Sequence, residues 1–182
     1  ADIVEKAKEL DVCGHEIERS CIRFIAMEQP LATDLMYIES SIRVISHVKR
    51  IAYLCRNIAE SAATIEGIKV SNKIMGDLEY MADYVQIMLT RGFGSFCNQD
   101  ISVERELASD DDKVDDLFDI ILSHTTELLT EKTQNALEIV NIIFIARYLE
   151  RIADRVVNIG ERVIFINTHK RPHIEELKKE EQ

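Results

Sequence analysis

The stretch Arg147-Tyr148-Leu149-Glu150-Arg151-Ile152-Ala153-Asp154-Arg155-Val156-Val157-Asn158-Ile159-Gly160-Glu161 carries two faces at one helical period. Ile145, Leu149, Ile152, Val156, Ile159 and Val163 recur at spacings of three and four, which predicts an apolar stripe along a helix. Glu150, Asp154, Asn158 and Glu161 recur at i, i+4, i+8 and i+11 and form a separate polar stripe at about 100° per residue. One helix therefore offers a core face and a row of oxygen ligands. An imperfect twin precedes it, because Arg50-Ile51-Ala52 through Asn57-Ile58-Ala59-Glu60 repeats the pattern R-I-A-x-x-x-x-N-I-(A/G)-E. Lys49 stands where Glu150 stands and Tyr53 where Asp154 stands, so only the second copy keeps its carboxylates.

The repeat divides the chain into residues 1–68 with the degenerate motif, residues 69–169 with the acidic motif, and a charged tail over 170–182. At 182 residues and 46% hydrophobic composition, the chain has ample material for a helical core. A formal charge of −11 opposes direct binding to nucleic acid or to anionic membrane surfaces and suits a protein that collects cations. The run from Ile139 to Ala146, interrupted by Asn141, falls far short of the roughly 20 residues that span a bilayer. The opening Ala1-Asp2-Ile3-Val4-Glu5-Lys6 lacks the layout of a signal peptide, so cytoplasmic residence is expected. Cys13, Cys21, Cys55 and Cys97 have no C-x-x-C spacing, and apolar neighbours such as Ile22, Leu54 and Phe96 predict buried, reduced thiols.

In chain order, helices are expected from about Ile3 to Met27, closed by Gln29-Pro30, and from Thr33 or Asp34 through Ile65, stopped by Gly67. Ser71 or Asn72 caps a third helix with Ile74, Leu78, Met81, Val85 and Leu89 as core positions, its methionines filling the interior. Arg91-Gly92-Phe93-Gly94-Ser95 reads as the stop of that helix. It has neither the preceding strand nor the Gly-Lys-Ser/Thr of a phosphate loop. A fourth helix runs from Asn98 or Asp100 to about Leu129, and a turn at Glu131 to Thr133 leads into the fifth, which ends near Asn167. No segment alternates with period two, so the class is all-α, an antiparallel helical bundle.

On the fourth helix, Asp110-Asp111-Asp112-Lys113-Val114-Asp115-Asp116-Leu117-Phe118-Asp119 is the densest negative charge. Antiparallel packing would lay this run beside Glu150, Asp154 and Asn158, with Asp115 and either Asp112 or Asp119 across from them. Crowded carboxylates raise one another's pKa, and a bound cation relieves that penalty. Oxygen ligands with few histidines suit magnesium, manganese, calcium or iron better than zinc. The competing reading is a salt-bridged surface in which Glu150 and Asp154 pair with Arg147, Arg151 or Arg155. There is no Glu-x-x-His, no His pair on an unbroken turn and no placed Ser/His/Asp group, which leaves a hydrolase or di-iron oxidase without its chemistry.

At these residues the chain resembles the PhoU family of phosphate-uptake regulators. Leu149-Glu150-Arg151-Ile152-Ala153-Asp154 to Glu161 is similar to that family's E-x-x-x-D metal signature. Asp112-Lys113-Val114-Asp115 is similar to its D-x-V-D element, and Glu28-Gln29-Pro30 to Asp34-Leu35 to its Q-P-x-x-x-D-L turn. The resemblance implies two tandem three-helix bundles, metal clusters on their surface and a non-enzymatic regulator that restrains a phosphate ABC transporter or a sensor kinase. By that resemblance the first bundle lacks its opening helix, and core positions such as Phe24, Ile25, Ile45 and Val48 are left with an open apolar face that favours homo-oligomers. The alternative is a helical interaction domain of a larger DNA-binding or channel regulator.

Overall fold

The computed structural model describes residues 2–65, 71–131 and 136–170. Its helices are α1 (Asp2–Glu28), α2 (Ala32–Thr64), α3 (Asn72–Asn98), α4 (Glu104–Glu131) and α5 (Ala136–Thr168), with a 3₁₀ turn at Ile101–Val103 before α4. The described residues contain no strand. The readings placed on Gly67, on the turn after Glu131 and on the tail from residue 171 lie outside the described residues.

The apolar stripe of the opening motif is the axis of the fold. Ile145, Leu149, Ile152, Val156, Ile159 and Val163 are all buried, and α5 packs against α2, α3 and α4 at once. Leu54 of α2, Met81 and Met88 of α3 and Val114 and Ile121 of α4 join the same core, so the methionines fill the interior as expected. Helices α3, α4 and α5 form a three-helix bundle, and α2 lies along the far side of α5. The α2–α5 pair is antiparallel, since Glu39 near the start of α2 meets Arg162 near the end of α5. Helix α1 returns along α2, with Gly14 its one buried residue. A Cβ at Gly14 would lie 2.7 Å from Cδ of Lys49 and 3.2 Å from Cγ2 of Ile45, so glycine lets both side chains cross α1.

The third helix corrects one expectation. Gly92, Phe93, Gly94 and Ser95 lie inside α3, which continues to Asn98 and closes on the left-handed Gln99. Gly92 is there for packing, because a Cβ at that position would come within 2.4 Å of Cγ1 of Val156, the closest helix approach through a glycine among the described residues. Asp100 then caps the 3₁₀ turn, its side chain accepting from the Ser102 backbone N–H at 2.9 Å and from the Ser102 hydroxyl at 2.7 Å. The Ser95 hydroxyl adds a bond of 2.7 Å to the Asp100 carbonyl. Beyond the apolar core, α3 and α4 share a polar clasp in which buried Asp110 accepts from Tyr84 at 3.0 Å and pairs with Arg91 and Lys113.

On α1 the residues Ile3, Leu10, Ile17 and Phe24, spaced by sevens, are all exposed. Phe24 also lines a cleft of about 560 Å³ with Cys21, Pro30, Tyr37 and Ile38, so the expected open apolar face lies chiefly on this helix. The cysteines are free, yet Cys13 and Cys97 are exposed, contrary to expectation, while Cys21 and Cys55 are half-buried with thiols pushed up by burial. A helical neighbour points about 100° away, so an apolar residue beside a cysteine in sequence says little about its burial.

Candidate functional site

The acidic motif lies on the seam between α4 and α5. Arg147 Nη1 reaches both carboxylate oxygens of Glu150, and the Arg147 guanidinium lies 5.7 Å from the centre of the Phe118 ring. Burial pushes the Glu150 carboxyl above its usual range; Arg147 draws it back, while the Asp154 and Asp115 carboxylates push it up again. Asp154 and Asp115, two of the expected residues, therefore both act on a third, Glu150. The salt-bridge reading holds for Glu150, whose side chain is only 13% exposed against Arg147. It does not hold for Asp154, which makes no hydrogen bond or ion pair through its carboxylate among the described residues. Asn158 turns its amide back to donate to the Asp154 main-chain carbonyl.

The antiparallel register explains which residues meet. Arg147 is opposite Phe118 and Glu150 is opposite Asp115, and eleven residues further along each helix Glu161 is opposite Glu104. Eleven residues are about three helical turns, so the second pair returns to the same seam roughly 16 Å away. There burial raises the Glu104 carboxyl, Glu161 raises it further, and Arg105 opposes them. The same register sets half-buried Asp111 level with Asp154, whereas Asp112 and Asp119 are exposed. Sequence reasoning passed over Glu104 and named Asp111 only as part of the aspartate run. The matching i, i+11 spacings of 104/115 and 150/161 were the available signal. Among the described residues, no three acidic, histidine or cysteine side chains already stand at metal-ligand separation.

The first copy of the motif has exchanged its charge. Lys49 Nζ lies 3.7 Å from Asp11, 3.5 Å from Glu18 and 3.3 Å from the ring nitrogens of His15, so an ammonium is fixed among side chains of α1. The Tyr53 ring carries two guanidinium groups, Arg50 at 5.0 Å and Arg56 at 4.5 Å. Beside them His47 is held down to about 4, first by burial and then by Arg155, Arg162 and Arg43.

The chain is similar to known proteins over nearly its whole described length. A family profile described as PhoU domain matches residues 1–62 and 78–163. The phosphate-specific transport system accessory protein PhoU homolog 1 of Methanothermobacter thermautotrophicus is 44% identical over 170 residues, covering 93% of this chain and 78% of that protein. A PhoU homolog of Clostridium acetobutylicum is 28% identical over 169 residues, covering 92% of this chain and 77% of its own. The crystal structure of PhoU from Pseudomonas aeruginosa superposes with a TM-score of 0.87 at 25% identity, over 93% of this chain and 81% of that one. Among the described residues no helix is long and apolar enough to cross a membrane.

Proposed function

The chain belongs to the PhoU family, and from that premise we propose that it is a metal-binding, non-enzymatic regulator of phosphate uptake. It works in the cytoplasm by contact with a phosphate ABC transporter or its signalling kinase. The observation that carries the metal part is the coupling of Glu150, Asp154 and Asp115 across the α4–α5 seam. These are hard oxygen donors, and the burial of Glu150 together with the like charge of Asp154 and Asp115 beside it is the penalty that a magnesium, manganese, calcium or iron ion would relieve. The donor chemistry fits such an ion, with Glu150, Asp154 and Asp115 to hold it, Asn158 beside them, and Asp112 or Asp119 at the rim. To serve as a ligand Glu150 exchanges its Arg147 partner. The ion would supply positive charge to an acidic seam and lock α4 to α5. The exposed stripe of Ile3, Leu10, Ile17 and Phe24 supports self-association as part of the same reading.

The partner part is tested by capture of the tagged protein's complexes from cells grown with ample phosphate and from phosphate-starved cells, quantified by mass spectrometry. The transporter's ATPase subunit or the sensor kinase is expected to be enriched, with the amount changing with phosphate supply. Absence of both under both conditions would leave the helical interaction domain of a larger regulator as the better reading.

A further inference from the structure

The charge exchange in the first copy leaves a cationic cavity in a strongly acidic chain. Ser46, His47, Lys49, Arg50 and Tyr53 of α2 and Arg155 of α5 line a recess of about 540 Å³. The chain as a whole carries −11, so a recess with three permanent cations and no lining carboxylate stands out from its background. The cations nearby are unequally neutralised. Lys49 leans on Asp11 and Glu18, and Glu39 holds both Arg43 and Arg162. Arg50 and Arg155 have no carboxylate partner among the described residues. Arg155 also has a buried Nε without a hydrogen-bond partner, an unsatisfied donor at a cost that native structures rarely leave standing.

We propose that this recess is an oxyanion site for a phosphorylated small molecule, held by Arg155 and Arg50 with Lys49 and the hydroxyls of Ser46 and Tyr53. Planar guanidinium forks match phosphoryl oxygens in pairs, and the other lining groups are hydroxyls, an ammonium and an imidazole. His47 is kept neutral, so it can offer a ring N–H without adding charge. The volume falls in the range of small-molecule sites, about 300–1,000 Å³, and is larger than a lone phosphate ion requires. The ligand class is therefore a chain of phosphoryl groups, free or carried on a nucleotide. In the second copy Glu150 and Asp154 occupy the positions of Lys49 and Tyr53, so the two repeats divide their labour: one seam for cations, one for anions. This inference does not rest on the metal reading.

The experiment is calorimetric titration of a nucleoside triphosphate, tripolyphosphate and inorganic phosphate into the full chain, with chelator present so that metal plays no part. Wild type is expected to bind the nucleotide or tripolyphosphate, with affinity falling as salt rises and inorganic phosphate at least about tenfold weaker. Arg155→Met, which keeps the apolar stem, and Arg50→Gln, on an exposed side chain, are each expected to weaken binding at least about tenfold. Asp154→Ala should bind as wild type does, which separates this site from the acidic seam. Equal affinity for the nucleotide and tripolyphosphate assigns recognition to the phosphoryl chain, and tighter nucleotide binding adds contact with the Tyr53 side of the recess. No binding of either compound, unchanged affinity in both arginine variants, or inorganic phosphate as tight as tripolyphosphate would overturn the proposal. Circular dichroism of the Arg50→Gln protein guards against misfolding as the cause.

Discussion

Gly92→Val is expected to destabilise the chain by about 3 kcal/mol, the upper end of what overpacking costs in a well-filled core. The first added atom would already lie 2.4 Å from Cγ1 of Val156, and both residues are buried where α3 and α5 cross. Val156 has no room to yield, since it is enclosed by the shared core. Two residues along, a Cβ at Gly94 meets nothing within 4 Å. Gly94→Ala is therefore expected to stabilise α3 by about 0.5–1 kcal/mol through backbone entropy alone. Urea unfolding followed by circular dichroism reads both effects. A Gly92→Val protein as stable as wild type would mean that α3 and α5 do not touch at this glycine.

Glu150→Gln is expected to act in opposite directions on stability and on metal affinity. The folded chain raises the Glu150 carboxyl, chiefly by burial, so this group contributes stability that is fully present below its unfolded pKa and lost as pH rises through the folded value. At neutral pH the wild type has already lost that contribution. Glutamine mimics the protonated form, so the metal-free variant should melt about 1–3 °C higher at neutral pH, with the gap closing in acid. Metal affinity should fall at least about tenfold, because a buried anionic donor becomes a neutral amide. A residue kept only as a salt bridge to Arg147 would behave differently: its loss would lower the melting temperature and leave metal affinity unchanged.

The helical class and the core were legible because α5 states its stripe at unbroken helical period, and every position of that stripe proved buried. Pro30 marked the end of α1 for an equally local reason: the chain leaves the helix at left-handed Gln29. The glycines of α3 misled because glycine both stops helices and admits a neighbouring helix. The partner, Val156, is 64 residues away in sequence and invisible to a local reading. The pairing of Asp115 with Glu150 followed from antiparallel order, but which other aspartates face the seam depends on helix rotation. Asp111 and Asp112 differ by about 100° around α4, and the charge run itself cannot choose between them. Glu104 was hidden because it lies outside the aspartate run, at the far end of the same seam. In the first copy, sequence showed the loss of ligands at Lys49 and Tyr53. That Arg155 of the other repeat completes a cationic recess there is a product of the α2–α5 packing.

The acidic seam of the second repeat is proposed to hold a metal ion. Calorimetric titration of manganese and magnesium into wild-type and Asp154→Ala protein tests it most directly. Asp154 is exposed and contributes nothing to the apolar stripe, so the variant should keep the wild-type helical content. Saturable binding to wild type and at least about tenfold weaker binding to Asp154→Ala are expected, since one of the proposed anionic ligands is removed. Equal affinities in the two proteins, or no binding to either, would contradict the proposal and leave Glu150 and Asp154 as structural charges.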